Sequence, residues 1–132
     1  MSNEYFEKLV ELNASEVSFS VATVIKITGS VSAKPGAKSI IDSKGNTLFG
    51  WVGGGCAEET VREASLESMR DGKTRIVHLD LDDEILGIGM PCGGTMEVYI
   101  EPFMPRPELM IVGHGRIAEV LAQLAHTVHF SI

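Results

Sequence analysis

Residues 47–72, "TLFGWVGGGCAEETVREASLESMRDG", change period part-way along. "TLFGWV" is short, apolar and aromatic, the composition of a strand. From Cys56 to Arg70 the spacing turns helical: Val61, Ala64, Ser65, Ser68 and Met69 share one face, while Glu58, Glu59, Glu63, Glu67 and Arg70 lie mostly elsewhere. Gly72 follows the last turn, where a glycine commonly stops a helix. A strand thus hands over to a helix across Gly53, Gly54 and Gly55, so one short chain holds both kinds of element.

Outward from this stretch the same two periods recur. Asn3 can cap a helix over 3–14 whose Tyr5, Phe6, Leu9, Val10 and Leu12 make a broad apolar face. "EVSFSVATVIKI", from Glu16 to Ile27, alternates, with Val17, Phe19, Val21, Thr23, Ile25 and Ile27 pointing one way. "AKSIID" and "TLFGWV" flank "SKGN", where Gly45 and Asn46 supply turn chemistry. "KTRIVHLDL" and "TMEVYIE" are further strands, and "EPFMPRPE", with its clustered prolines, marks a boundary. Beyond it "LMIVGHGRIAEVLAQLA" reads as a strand, a tight glycine turn and a helix. The expected fold class is α+β. A mixed sheet with helices fills residues 1–103, and the first strand and helix of a Rossmann-like α/β unit occupy 104–132.

A chain of 132 residues suits one ordinary domain. Folding at this size buries roughly two-thirds of the unfolded surface, enough without disulfides or a structural metal. Eleven Lys and Arg against eighteen Asp and Glu leave a net charge of −7, which argues against nucleic acid or an anionic membrane as partner. A small anion held by backbone amides stays compatible with it. No apolar run approaches the ~20 residues of a membrane span. "MSNEYFEKLV" carries charges where a signal peptide needs an apolar segment. Cys56 and Cys92 are too few for a secreted disulfide framework, so a cytoplasmic protein with two free thiols is expected.

Two glycine-cysteine clusters carry the chemistry. Gly53, Gly54 and Gly55 let backbone amides approach a ligand closely, and the following helix adds unpaired N–H groups and the positive end of its dipole. Together these suit a phosphate or another oxyanion. Cys56 falls in the first turn, where thiolate is favoured; Glu58 is either a hydrogen-bond acceptor or a complement to the dipole. The second cluster, Cys92-Gly93-Gly94, repeats the pairing of thiol and bare backbone. Tight helix-on-sheet packing accounts for such glycines equally well, and a buried cysteine is commonly inert. If the loops converge, they cradle one anionic, oxidation-sensitive ligand; the two thiols acting as a redox pair is the other reading. Lys34 and Lys38 flank the Pro35-Gly36 turn and form a third candidate contact to a phosphate, or two solvated loop lysines. His126 and His129 lack a third metal ligand nearby.

Gly113-His114-Gly115-Arg116-Ile117-Ala118 fits G-x-G-x-x-[GA] between a strand and a helix, the context this pattern requires. The acidic residue that grips a ribose is expected about 20 residues on, beyond Ile132. A complete NAD(P) site is therefore not expected within this chain alone. One strand and one helix leave the faces and edges of a parallel sheet open. Docking on the first domain, self-association into a homo-oligomer or a partner chain would complete them.

Taken together, "VATVIKITGS", "KPGAKSII", "GWVGGGCAEETVREA", "PCGGTMEVYIEP" and "PELMIVGHGRIAEVLAQLA" resemble the XdhC/CoxI family in family order over nearly the whole chain. These are accessory proteins of molybdenum hydroxylases such as xanthine dehydrogenase and carbon monoxide dehydrogenase. The resemblance implies a chaperone rather than an enzyme. It would bind the molybdenum cofactor (molybdopterin), protect it, assist its sulfuration by a cysteine desulfurase and pass it to an apo molybdenum hydroxylase. It also implies a cofactor-binding set of Gly53, Gly54, Gly55, Cys56, Glu58, Cys92, Gly93 and Gly94, with Cys56 and Cys92 as the contacts to molybdenum or to a transferred sulfur. The chain departs from the family at Ser32-Ala33-Lys34, where an arginine is frequent, and at Ser39, where Met is common. It departs again at Gly113-His114-Gly115-Arg116, where the usual turn is Gly-Ala-Gly-His.

Overall fold

The computed structural model describes residues 3–29, 31, 33–80 and 94–132. Its elements are α1 (Asn3–Ala14), β1 (Phe19–Gly29), β2 (Lys38–Asp42), β3 (Thr47–Gly50), α2 (Cys56–Asp71), β4 (Arg75–Asp80), β5 (Gly94–Phe103) and α3 (Arg116–Thr127). The strands form one sheet in the order β3-β2-β1-β5-β4. The α+β class expected from the sequence is what the structure shows. Every pairing within the sheet is antiparallel; parallel pairing, among the described residues, is confined to an isolated bridge between Glu108 and Ser131.

The period of two along β1 sends alternate side chains to opposite faces. Phe19 and Val21 meet Tyr5 and Leu12 of α1 together with Ile40. Ala22 and Val24 belong to a second core with Ala57 and Val61 of α2, Ile41, Leu79, Met96, Val98 and Ile100. α2 turns Ala57, Val61, Ser65, Ser68 and Met69 inward, at the spacing that one helix face allows. Its C-terminus closes on Gly72, in the left-handed conformation at φ 72°, whose N–H donates to the Ser68 carbonyl.

Two turns place the strands. Between β2 and β3 the Asp42 carboxylate accepts hydrogen bonds from the backbone N–H of Lys44 and of Asn46 and from the Asn46 side chain. Partial burial works against the Asp42 charge, but those bonds outweigh it and hold the carboxyl below its usual pKa. At Gly50 (φ 76°) a Cβ would stand 1.9 Å from the Lys38 carbonyl oxygen, so only glycine lets β3 close against β2 there.

β1 departs from the expected alternation at a bulge. Its register with β5 shifts between Val24 and Lys26, leaving Ile25 as the extra residue. Beyond the bulge Lys26 and Thr28 take the face of Thr23, and Ile27 pairs with Met96 over the α2 core. Past β5, the Arg106 guanidinium pairs with the Glu16 carboxylate at 2.6 Å. The "LMIV" strand foreseen in the sequence is not formed as a strand. The Leu109 N–H donates to the Ser131 carbonyl and the Ser131 N–H to the Pro107 carbonyl, the slanted pattern of a parallel pair spanned by α3. The pairing goes no further, and Met110 and Val112 are 87% and 91% exposed.

Candidate functional site

The glycine loop lies between the end of β3 and the first turn of α2. Val52, buried, anchors it to the core. Gly53 has φ 147°, and a Cβ there would meet the Ala57 side chain at 3.1 Å and the Met96 methyl at 3.6 Å. Gly55, at φ 59° and ψ −122°, is the N-cap and gives α2 no side-chain cap. The first helical hydrogen bond runs from the Glu59 N–H to the Gly55 carbonyl. The amides of Cys56, Ala57 and Glu58 therefore have no intrahelical acceptor, and the helix dipole adds positive potential there. This is an arrangement able to hold an anionic oxygen.

Cys56 opens α2; its side chain, like the whole of Cys92 and Gly93, lies outside the described residues. Glu58 is exposed and lines a small recess with Ser39, Ile41, Thr47, Trp51, Val52 and Val61. A carboxylate at that position complements the dipole and competes with any bound anion.

The structure brings some of the sequence-derived residues together and separates others. The Met96 methyl reaches the place a Gly53 Cβ would take, to 3.6 Å, and Met96 stands two residues from Gly94 at the start of β5, so the glycine loop packs over the side chain of that strand. Gly94 has a packing reason for being glycine: a Cβ there would stand 2.4 Å from the Thr28 carbonyl oxygen and 2.7 Å from the Val31 side chain. Lys34 is exposed beside the Pro35-Gly36 turn. The Lys38 ammonium lies on the α1 face, opposite α2, where it donates to the Thr23 hydroxyl at 2.9 Å and stands 5.8 Å from the Tyr5 ring centroid. Tyr5 itself is pushed above its usual pKa by burial and by the nearby Glu101 charge. No group of three or more His, Cys, Asp or Glu among the described residues is placed to hold a metal ion.

A second polar feature was not visible in the sequence. On the α1 side of the sheet, beyond the reach of α1, Lys26, Thr28, His78, Asp80, Thr95 and Glu97 line a recess of about 240 Å³. The register sets Lys26 and His78 on either side of Glu97, and Thr28 and Asp80 on either side of Thr95. The His78 Nδ1 lies 3.1 Å from the Glu97 carboxylate. β1 lies far along the chain from β4 and β5, so only the pairing reveals the group.

The sequence profile of the XdhC and CoxI family matches residues 12–80, just over half of the chain. The chain belongs to that family. It is 29% identical, over 96% of its length, to the uncharacterized protein YqeB of Escherichia coli K12, of which it covers 23%. A crystal structure from Bacillus halodurans, described as a xanthine dehydrogenase, superposes on 72% of the chain with a TM-score of 0.63 and 29% identity; the match covers 29% of that protein. The chain thus spans about a quarter of the length of these relatives. At the level of the family the role is accessory to molybdenum hydroxylases. Among the described residues no helix is long and apolar enough to cross a membrane.

Proposed function

We propose that this chain is a cytoplasmic molybdenum cofactor chaperone, which stabilises the cofactor, assists its sulfuration by a cysteine desulfurase and delivers it to an apo molybdenum hydroxylase. The observation that carries the reading is the uncapped N-terminus of α2 behind Gly53–Gly55, in a chain of this family. Molybdopterin presents a phosphate, for which the free amides of Cys56, Ala57 and Glu58 are suited donors. It also carries a dithiolene, which holds the metal in the assembled cofactor, and for these a thiolate is a suited neighbour. Cys56, in the first turn, is the thiol we assign to that contact, and Cys92 the second. When bound, the cofactor supplies the redox-active metal and its sulfur ligands; the chain's own part is to bind it, orient it and exclude oxidants.

The test is retention of released molybdopterin by anaerobically purified protein, assayed by fluorescence of the oxidised pterin. Retention by the wild type and loss in a folded Cys56→Ser, Cys92→Ser double variant is the expected result. Undiminished retention and hydroxylase activation by that variant would remove the thiols from the proposal.

A second reading has its own observation. Gly113 and Gly115 take φ 141° and 98°, α3 is uncapped, and the parallel bridge Glu108–Ser131 spans it as in a β-α-β unit. On that reading a partner chain or a second copy completes a dinucleotide site. Calorimetry with NAD(H) and NADP(H), with and without the partner, distinguishes the two.

A further inference from the structure

α3 sets Ile117, Leu121, Leu124 and Val128 in a line, each between 45% and 86% exposed. Ala118, Ala122 and Ala125 take the inward side, so the line is a second apolar face of the same helix. Large apolar side chains so arranged are stabilised when something covers them. The spacing says what fits. Steps of four, three and four read the same in either direction, so the stripe is complementary to its own reverse. Turned antiparallel about a two-fold axis between Ala122 and Gln123, it sets Ile117 opposite the partner's Val128 and Leu121 opposite the partner's Leu124. Each contact is then made twice, as an interface between identical patches requires. Alternating steps of three and four are also the spacing at which two helices interlock at a shallow crossing angle. Side by side and antiparallel, the two helix dipoles attract.

Charge points the same way. Residues 104–132 hold Arg106 and Arg116 against Glu108 and Glu119, so the whole excess of −7 falls on residues 1–103. Two copies repel through their acidic sheets and can meet through this neutral segment. Glu119, the one acid of α3, lies about 200° round the helix from Ile117. A partner selected by its own charge would find nothing on the stripe to select it. We propose that the stripe is a homodimer interface, through which two copies of this chain pair antiparallel along α3. The pairing does not depend on what the α2 loop binds. A helix of 12 residues offers fewer contacts than the roughly 20–30 residues a side of a standard interface. Association is therefore weak and reversible, with a dissociation constant in the micromolar range or above. Because the contact is apolar and salt screens the repulsion between the sheets, added salt tightens it.

The experiment is sedimentation equilibrium of the full chain over about a hundredfold range of concentration, at low and high salt. A monomer–dimer equilibrium that tightens with salt is expected. Leu121→Gln with Leu124→Gln should weaken it at least about tenfold while the circular dichroism of the fold is kept. Phe6→Gln, at an exposed apolar residue of α1, should leave it unchanged. Orientation is read with a photo-cross-linking residue, p-benzoylphenylalanine, at position 117. Irradiation should join it to the last turn of the partner's α3, around Val128, told apart from the chain's own by isotope labelling. A chain that stays monomeric throughout overturns the proposal. So does a dimer that persists undiminished in the α3 double variant, or one that salt dissociates. Attachment around the partner's Ile117, or anywhere outside the partner's α3, overturns the antiparallel pairing.

Discussion

At the scale of the residue, close approach and charge placement decide what can change. Gly50 combines a left-handed backbone with a Cβ position only 1.9 Å from the Lys38 carbonyl oxygen. Gly50→Ala must therefore push β3 away from β2 and break the bond from the Trp51 N–H to that carbonyl. A loss of roughly 2 kcal/mol or more is expected in urea unfolding; an unchanged midpoint would show that β3 closes some other way. Asp71 makes a prediction about pH. The Arg75 side chain, hydrogen-bonded to it, holds its pKa down to about 2 from the ordinary 3.8. Because the folded value is the lower one, the stabilisation is fully present above the ordinary value and disappears as pH falls through about 2. Asp71 is solvent-screened, so the effect is small. The stability difference between wild type and Asp71→Asn should be constant above about pH 4 and vanish near pH 2. A gap that widens on acidification would contradict the pairing.

At the scale of the element, α2 lies on a floor of small residues. Ser65 faces a sheet surface that includes Ser20 and Ala22, all fully buried, and the Ser20 and Ser65 hydroxyls have no hydrogen-bond partner among the described residues. Small side chains let the helix approach, and two buried hydroxyls are the cost. Ser65→Ala keeps the shape and removes an unpaired polar atom. The melting temperature should hold or rise by a few degrees, and a clear fall would mean that a buried water satisfies the hydroxyl. Much of this element was legible beforehand. The helical spacing of Val61, Ser65, Ser68 and Met69 identified the buried face, and Gly72 identified its end. The bulge at Ile25 was not legible, because it depends on what β5 offers opposite β1. The bulge is also what brings Lys26 into line with Glu97 and His78, so the polar recess was hidden for the same reason. Lys38 was read as a neighbour of the Pro35-Gly36 turn, yet strand parity places it with Ile40 on the α1 face. Gly94 was read as bare backbone for a ligand, and the approach of Thr28 explains it without one.

At the scale of the whole molecule, two bodies of unequal packing share the chain. The sheet holds its cores on both faces. The segment after Phe103 is joined to it by the Arg106–Glu16 pair, with α3 turning Ala118, Ala122 and Ala125 inward and Ile117, Leu121, Leu124 and Val128 to solvent. Those four exposed positions recur at steps of four, three and four, the stripe that a helix uses to pack. An apolar stripe left open in this way marks a contact surface rather than a core. Energetically it should then be silent in the isolated chain. Leu121→Gln with Leu124→Gln should leave the unfolding free energy of the sheet within about 0.5 kcal/mol of wild type. Ile100→Ala, in the fully buried centre of β5, should cost roughly 2–5 kcal/mol. Both are read from one set of denaturation curves followed by circular dichroism. If the α3 variant loses as much as the β5 variant, the stripe is packed within the chain and is not available to any partner. If it loses nothing, whatever covers α3 must come from outside the described residues. The amides of α3 should then exchange with solvent faster than those of β1 and β5.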